Sequence, residues 1–283
     1  MSPVKYGKHC TKRKGRLFNV NDLKNMELSH SRLALYHQCP YAFYLRYIVD
    51  DDDQYLNENN YYAELGSYVH LILEKIFNGE LDVDDALDYY IEHYEENVLY
   101  ETWESVMLKS YELCADYFAE VDFDWLKDYE ILGVEKEIHT EIDGYRFRGF
   151  IDLLLRNKDT GEIVLIDHKS SSYPMKKNGK SVLKSEKDNF EKYKRQLYLY
   201  SKAVFEEYGK FPDYLSWNHF KDKKILRIPF SKEEYDEAML MIEATIMAIE
   251  KDDEFPAIQD YFFCHQLCNF RASCEYANDE GEE

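Results

Sequence analysis

Apolar residues in Ser29–Ile48 recur at helical spacing on both sides of Cys39-Pro40. This predicts two short helices, the second opening at Pro40, where the missing N–H costs little. Residues 61–78 and 82–120 keep the helical period and carry acidic outer faces. The pattern then shortens into runs rich in Ile, Val, Leu and Phe over 130–142, 145–156 and 162–169. Asp143-Gly144 between the first two is a hairpin signal, and Asp159-Thr160-Gly161 separates the second from the third. A helical period returns over 188–208, two strands fit 213–220 and 224–230, and Ser231 to Glu234 form a capping box opening a helix to about residue 251. The order predicts an α/β fold with a central sheet, flanking helices and a helical insertion before the sheet. No apolar run approaches the roughly 18 residues of a membrane span. The N-terminus is basic without an apolar stretch, so no export signal is read and a cytoplasmic protein with no membrane partner is expected.

Charge changes this picture. The chain has 283 residues and a net charge of −21, which taken alone argues against contact with phosphates. The charge is uneven. Asp50–Glu130 holds 24 acidic and three basic residues, which accounts for the whole net charge. The first 16 residues hold six basic residues and no acidic one. Residues 169–195 hold nine basic and three acidic residues. A solvated acidic face beside lysine clusters is the plain reading of such runs.

Six cysteines stand at 10, 39, 114, 264, 268 and 274. Without an export signal a disulfide framework is not expected. Cys264, Cys268 and Cys274 form C-x3-C-x5-C, a local cluster suited to metal or iron–sulfur ligation that needs a fourth ligand. Cys114 falls in an apolar helical stripe with Tyr111 and Phe118 and reads as core, and Cys10 as a free thiol.

The candidate chemistry lies in the predicted strands. Arg148-Gly149-Phe150-Ile151-Asp152 ends one apolar run, and Ile163-Val164-Leu165-Ile166-Asp167-His168-Lys169 ends the next. A carboxylate at the end of a buried strand costs desolvation unless it is paired or metal-bound. Two of them at neighbouring strand ends can share a hard divalent cation. Lys169 follows Asp167 by two residues and so shares its face, where it can hydrogen-bond a water or offset charge on a phosphate. This set fits phosphodiester hydrolysis.

The D…D-x-K spacing resembles the PD-(D/E)XK nuclease superfamily. Gln196-Leu197-Tyr198-Leu199-Tyr200 resembles the Q-x-x-x-Y motif of its RecB-like branch, and Gly66-Ser67-Tyr68-Val69-His70 the G-x-x-x-H motif. Cys39-Pro40 with the C-terminal trio resembles the cysteine arrangement of the iron–sulfur members, which include AddB-type nucleases and CRISPR-associated RecB-like exonucleases. Those members commonly carry C-x2-C-x5-C, so the extra residue here leaves a four-cysteine zinc site as the chemical alternative. The resemblance covers roughly residues 28–276.

It implies a restriction-endonuclease-like core in one nuclease domain over 28–276. Within it lie a helical insertion at about 50–128, a core at about 130–250 and a Cys-rich end at 264–274. A basic arm, 1–27, precedes the domain and an acidic tail, 277–283, follows it. By resemblance, His70, Asp152, Asp167 and the carbonyl of His168 hold Mg²⁺ or Mn²⁺. Lys169 positions the water, Gln196 supports Lys169, and Tyr200 completes that face. Cys39, Cys264, Cys268 and Cys274 hold a 4Fe–4S cluster. Gly66 lets another backbone approach. Glu135 and Glu137, on the strand before Asp152, read as solvent-facing strand residues or supporting acids, with the first reading favoured. The implied partner is DNA, single-stranded or at frayed ends, tracked by residues 169–195 with Tyr173 and Tyr193 stacking bases. The implied activity is that of a single-strand exonuclease or end-trimmer in recombination, repair or CRISPR spacer acquisition, with any helicase or adaptation protein a separate partner. Three rivals are an idle nuclease fold that binds DNA ends or a protein, a restriction-type endonuclease, and an acidic DNA mimic.

Overall fold

A computed structural model describes residues 20–49, 58–179 and 181–277. The basic residues 1–16, Cys10 and the acidic residues 278–283 lie outside the described residues. Chain contacts divide the molecule into two compact units, each discontinuous in sequence. One comprises the chain up to Tyr62, Glu141–Phe147 and the chain from Met241; the other comprises Ala63–Thr140 and Arg148–Leu240.

The sheet has five strands in sequence order, β1 (Tyr129–Ile142), β2 (Tyr145–Asn157), β3 (Ile163–Lys169), β4 (Tyr214–His219) and β5 (Lys224–Pro229). Asp143 and Gly144 both take positive φ, the geometry of a two-residue type I′ hairpin whose twist matches the strands it joins. β2 and β3 are antiparallel, β3 and β4 parallel, and β4 and β5 antiparallel. A parallel neighbour needs a crossover, here the 22-residue helix α7 (Lys187–Tyr208). The fold is therefore α/β with a mixed central sheet flanked by helices, consistent with a restriction-endonuclease-like core. Val164, Leu165, Leu153 and Leu155 are at most 1% exposed, and the apolar run is continuous because the sheet is covered.

Helices α1 (Val20–Asn25), α2 (His30–Gln38) and α3 (Pro40–Tyr47) precede α4 (Tyr61–Phe77), α5 (Ala86–Asn97) and α6 (Glu104–Glu120), and α8 (Lys232–Lys251) follows the sheet. Ser29 caps α2 by accepting the Arg32 N–H, and Pro40 is the first residue of α3. Residues 82–120 are not one helix as the periodicity predicts. A break at 98–103 separates α5 from α6, because the Glu64 carboxylate, from α4, accepts the N–H groups of Leu99 and Tyr100 at 2.7 and 2.8 Å. With those donors satisfied, the chain turns back and packs the Tyr90 ring tilted, and the Tyr94 ring edge-on, against Tyr111. The capping box is half formed. Ser231 Oγ accepts the Glu234 N–H, while the Glu234 carboxylate goes to Tyr198 and Lys194.

Candidate active site

Strands β1, β2 and β3 and helices α4 and α7 bring the site together. Asp152 lies one step beyond the Leu153–Ile166 pair, across from Asp167. Both carboxylates are buried, at 8% and 3% exposure. Burial first, and then the neighbouring Asp167, hold the Asp152 carboxyl well above the usual carboxylate range. His70, on α4, sets Nδ1 3.4 Å from Glu135 and 3.7 Å from Asp152. Its Nε2 lies 3.1 Å from the backbone oxygen of His168. A carbonyl only accepts, so Nε2 carries a proton. Burial opposes a charged ring, but the Glu135 hydrogen bond and the charges of Asp152 and Asp167 outweigh it and raise His70 to about 9. This imidazolium faces Glu135 and Asp152.

His70, Glu135 and Asp152 offer donor atoms all within 4.8 Å of one another. Two carboxylates and an imidazole beside the His168 carbonyl form an oxygen-rich set that fits a hard divalent ion, and the imidazole tilts it towards Mn²⁺. Glu135 is the member that the sequence leaves between a solvent-facing residue and a supporting acid, with the first favoured, and that the structure brings beside His70 and Asp152. Its φ is +43°, a left-handed conformation costly for a residue with a Cβ. Gly133, two residues earlier, permits the local curl: a Cβ there would meet the Lys136 side chain at 2.7 Å. The strand alternation used to read the sequence fails at such a curl.

Asp167 is held differently. Lys169 Nζ lies 2.7 Å from Asp167 Oδ2 and donates to Gln196 Oε1 at 3.0 Å. Gln196 Nε2 donates to Asp167 Oδ1 at 3.0 Å, which closes a ring of three groups. Burial would lower the Lys169 pKa, but Asp167 outweighs it and the net shift is upward, so the ammonium persists at neutral pH. Two of its three N–H donors are taken, and the charge lies 4.7 Å from the centre of the Tyr193 ring. Tyr193, which the sequence offers for base stacking, therefore has one face covered.

The family model of the PD-(D/E)XK nuclease superfamily matches residues 27–275. The chain belongs to that superfamily. A crystal structure from Eubacterium rectale, provisionally described as an exonuclease, shares the fold with a TM-score of 0.50 at 13% identity. The match covers 98% of this chain and 95% of that one. The structure of SSO0001 matches at 16% identity over 95% of this chain and 90% of that one, with a TM-score of 0.37, too low to carry an argument. A search of the curated proteins finds no match.

As a superfamily member the chain adds its own supports. His168 spans the site with its backbone: its N–H donates to Asp152 Oδ2 at 2.6 Å and its carbonyl faces His70. Its buried ring is stacked on Phe77, and burial, then the charges of His70 and Lys169, keep it neutral. Asn218, from β4, donates to His168 Nδ1 at 3.1 Å and to the Tyr117 hydroxyl at 2.8 Å. Tyr200 packs on β2 at Gly149, where a Cβ would come within 2.5 Å of its ring. Gly66 does not let another backbone approach, as the sequence reading has it. A Cβ there would meet nothing within 4 Å, so the glycine leaves open space one turn before His70. Glu137 pairs with Arg148 at 2.7 Å. Among the described residues no helix is long and apolar enough to cross a membrane.

The four cysteines of the motif also converge, in the other unit. Cys39 sits between α2 and α3, and Cys264, Cys268 and Cys274 lie on the turns after α8. All four line one small cavity with Ala42 and Leu45. Burial pushes the Cys268 thiol up to about 12 and raises Cys264 and Cys274 as well. Cys114 is fully buried, as core.

Proposed function

We propose that this chain is a metal-dependent deoxyribonuclease that trims single-stranded DNA or frayed ends, with a 4Fe–4S cluster in the unit that holds the four cysteines. The observation that carries the reading is the pairing of two devices at one strand end. The His70–Glu135–Asp152 trio can hold Mn²⁺ or Mg²⁺, and the Lys169–Gln196–Asp167 ring fixes an ammonium beside it. The ion, when bound, supplies Lewis-acid polarisation of the phosphoryl oxygen. Lys169 stays charged, so it orients water and offsets phosphate charge rather than acting as a base. Gln196 holds its direction. The His168 carbonyl faces the same space, and its ring is locked from behind by Asn218.

The cysteine cavity supports the cluster: Cys39, Cys264, Cys268 and Cys274 gather on one small space walled by apolar side chains, a four-cysteine set of the kind that holds an iron–sulfur core. The exonuclease description of the Eubacterium rectale structure is consistent with an end-directed activity.

The test is a cleavage assay on single-stranded DNA labelled at the 5′ or 3′ end, with anaerobically purified protein and Mn²⁺. Wild type should degrade the strand, and Lys169→Ala should not. If both cleave, the mechanism is wrong. If neither cleaves and both bind DNA, the fold serves as a binding module instead.

A further inference from the structure

We propose that Phe150 and Arg148 form a stacking platform on β2 for one unpaired nucleotide beside the scissile phosphate. The proposal rests on the nuclease reading of the site and names the substrate it takes. Phe150 is 42% exposed although both its strand neighbours, Gly149 and Ile151, are buried. Strand alternation places Arg148, Phe150 and Asp152 on one side. The Arg148 guanidinium lies 5.1 Å from the centre of the Phe150 ring, so these two share that side in fact.

The arginine is aimed, not loose. Its Nε is tied to Glu137 on β1 at 2.7 Å, which leaves its two terminal amino groups without partners among the described residues. The ring offers a π-face and the guanidinium a fork for a phosphate. Residues two apart on a strand repeat at about 6.6 Å, a spacing on the scale of one nucleotide of an extended single strand. A base stacked on Phe150 thus sets its neighbouring phosphate towards Asp152. Like Phe150, the two tyrosines suggested by sequence each carry a cation over the ring, Lys169 at Tyr193 and Lys224 at Tyr173, but both are only half-buried where Phe150 is exposed. A duplex keeps its base faces stacked and cannot use the platform, whereas an unpaired strand can.

The experiment measures binding of a phosphorothioate single strand by fluorescence anisotropy, with wild type, Phe150→Ala and Phe150→Trp, using strands carrying an abasic position at each place in turn. Phe150→Ala should bind about ten- to a hundredfold more weakly, the range seen for loss of one stacked base. Phe150→Trp should retain affinity. One abasic position should weaken wild type by a similar factor and Phe150→Ala not at all. Equal affinity of wild type and Phe150→Ala, or an abasic penalty that survives in Phe150→Ala, overturns the platform. Because the strand is not cut, this outcome is separate from the cleavage assay. A wild type that binds through Phe150 yet never cleaves DNA would sink the nuclease reading alone. Unchanged thermal melting of both variants shows that the fold is intact.

Discussion

The acidic site and the cysteine cavity solve opposite problems. At the acidic site every charge has a protein partner. His70 faces Glu135 and Asp152, and Lys169 faces Asp167. The geometry is held before any ion arrives. At the cavity four thiols are surrounded by Tyr41, Ala42, Leu45, Phe263 and Phe270. Burial raises the pKa values of Cys264, Cys268 and Cys274, which marks these three as neutral thiols in an apolar pocket. The first region is therefore preorganised, and the second, on the cluster proposal, would draw stability from the group it holds.

The sharpest way to break this contrast is a pair of variants with separate losses. Lys169→Ala should lower cleavage by about a thousandfold or more, the scale of removing a preorganised charge from a transition state, while iron content stays the same. Cys268→Ser should remove iron and visible absorption and lower the melting temperature by about 10 °C, the shift roughly 3 kcal/mol gives in a protein of this size. Zinc without iron in anaerobic wild type would overturn the cluster. Loss of iron in Lys169→Ala would show that the two regions are not independent.

A smaller effect distinguishes Glu135 from a bystander. Glu135→Gln keeps the shape but removes a charge from the trio at His70. Mn²⁺ affinity, measured by calorimetric titration, should fall about 10- to 100-fold, as for loss of a metal-site partner. Unchanged affinity would return Glu135 to the solvent-facing role its sequence suggests.

The difference between the two acids shows what sequence can carry. Asp152, Asp167 and Lys169 were legible because each ends an apolar run and the ladder register is local. Gln196 and Tyr200 were legible from their helical spacing. The meander, α7 and α8 were legible for the same reason, as period and turn chemistry agreed. Glu135 was not, because a backbone curl overrides alternation. Asn218 was not, because it reaches His168 only through the parallel β3–β4 pairing, which a helix of 22 residues separates in the chain. The break at 98–103 was not, because its cap, Glu64, lies 35 residues from Leu99. Long-range partners leave no local period.

The smallest expected effect concerns Gly149, whose place in Arg148-Gly149-Phe150-Ile151-Asp152 carries no signal of its role. A methyl group there would sit 2.5 Å from Cε1 and 2.9 Å from Cζ of Tyr200. Tyr200 is 7% exposed and has no room to retreat without moving α7. Gly149→Ala should therefore cost about 1–3 kcal/mol, the range for overpacking a tight site. Denaturant unfolding measures that loss. The Tyr200 hydroxyl lies 3.5 Å from Gln196 Nε2, so displacing the ring also loosens the support of Lys169. Cleavage should fall more than stability alone explains. Combining Gly149→Ala with Tyr200→Ala should show coupling, the second change costing less in stability than it does in wild type. Full additivity would mean that Gly149 and Tyr200 do not share the contact, and that the ring at Lys169 is held by Gln196 alone.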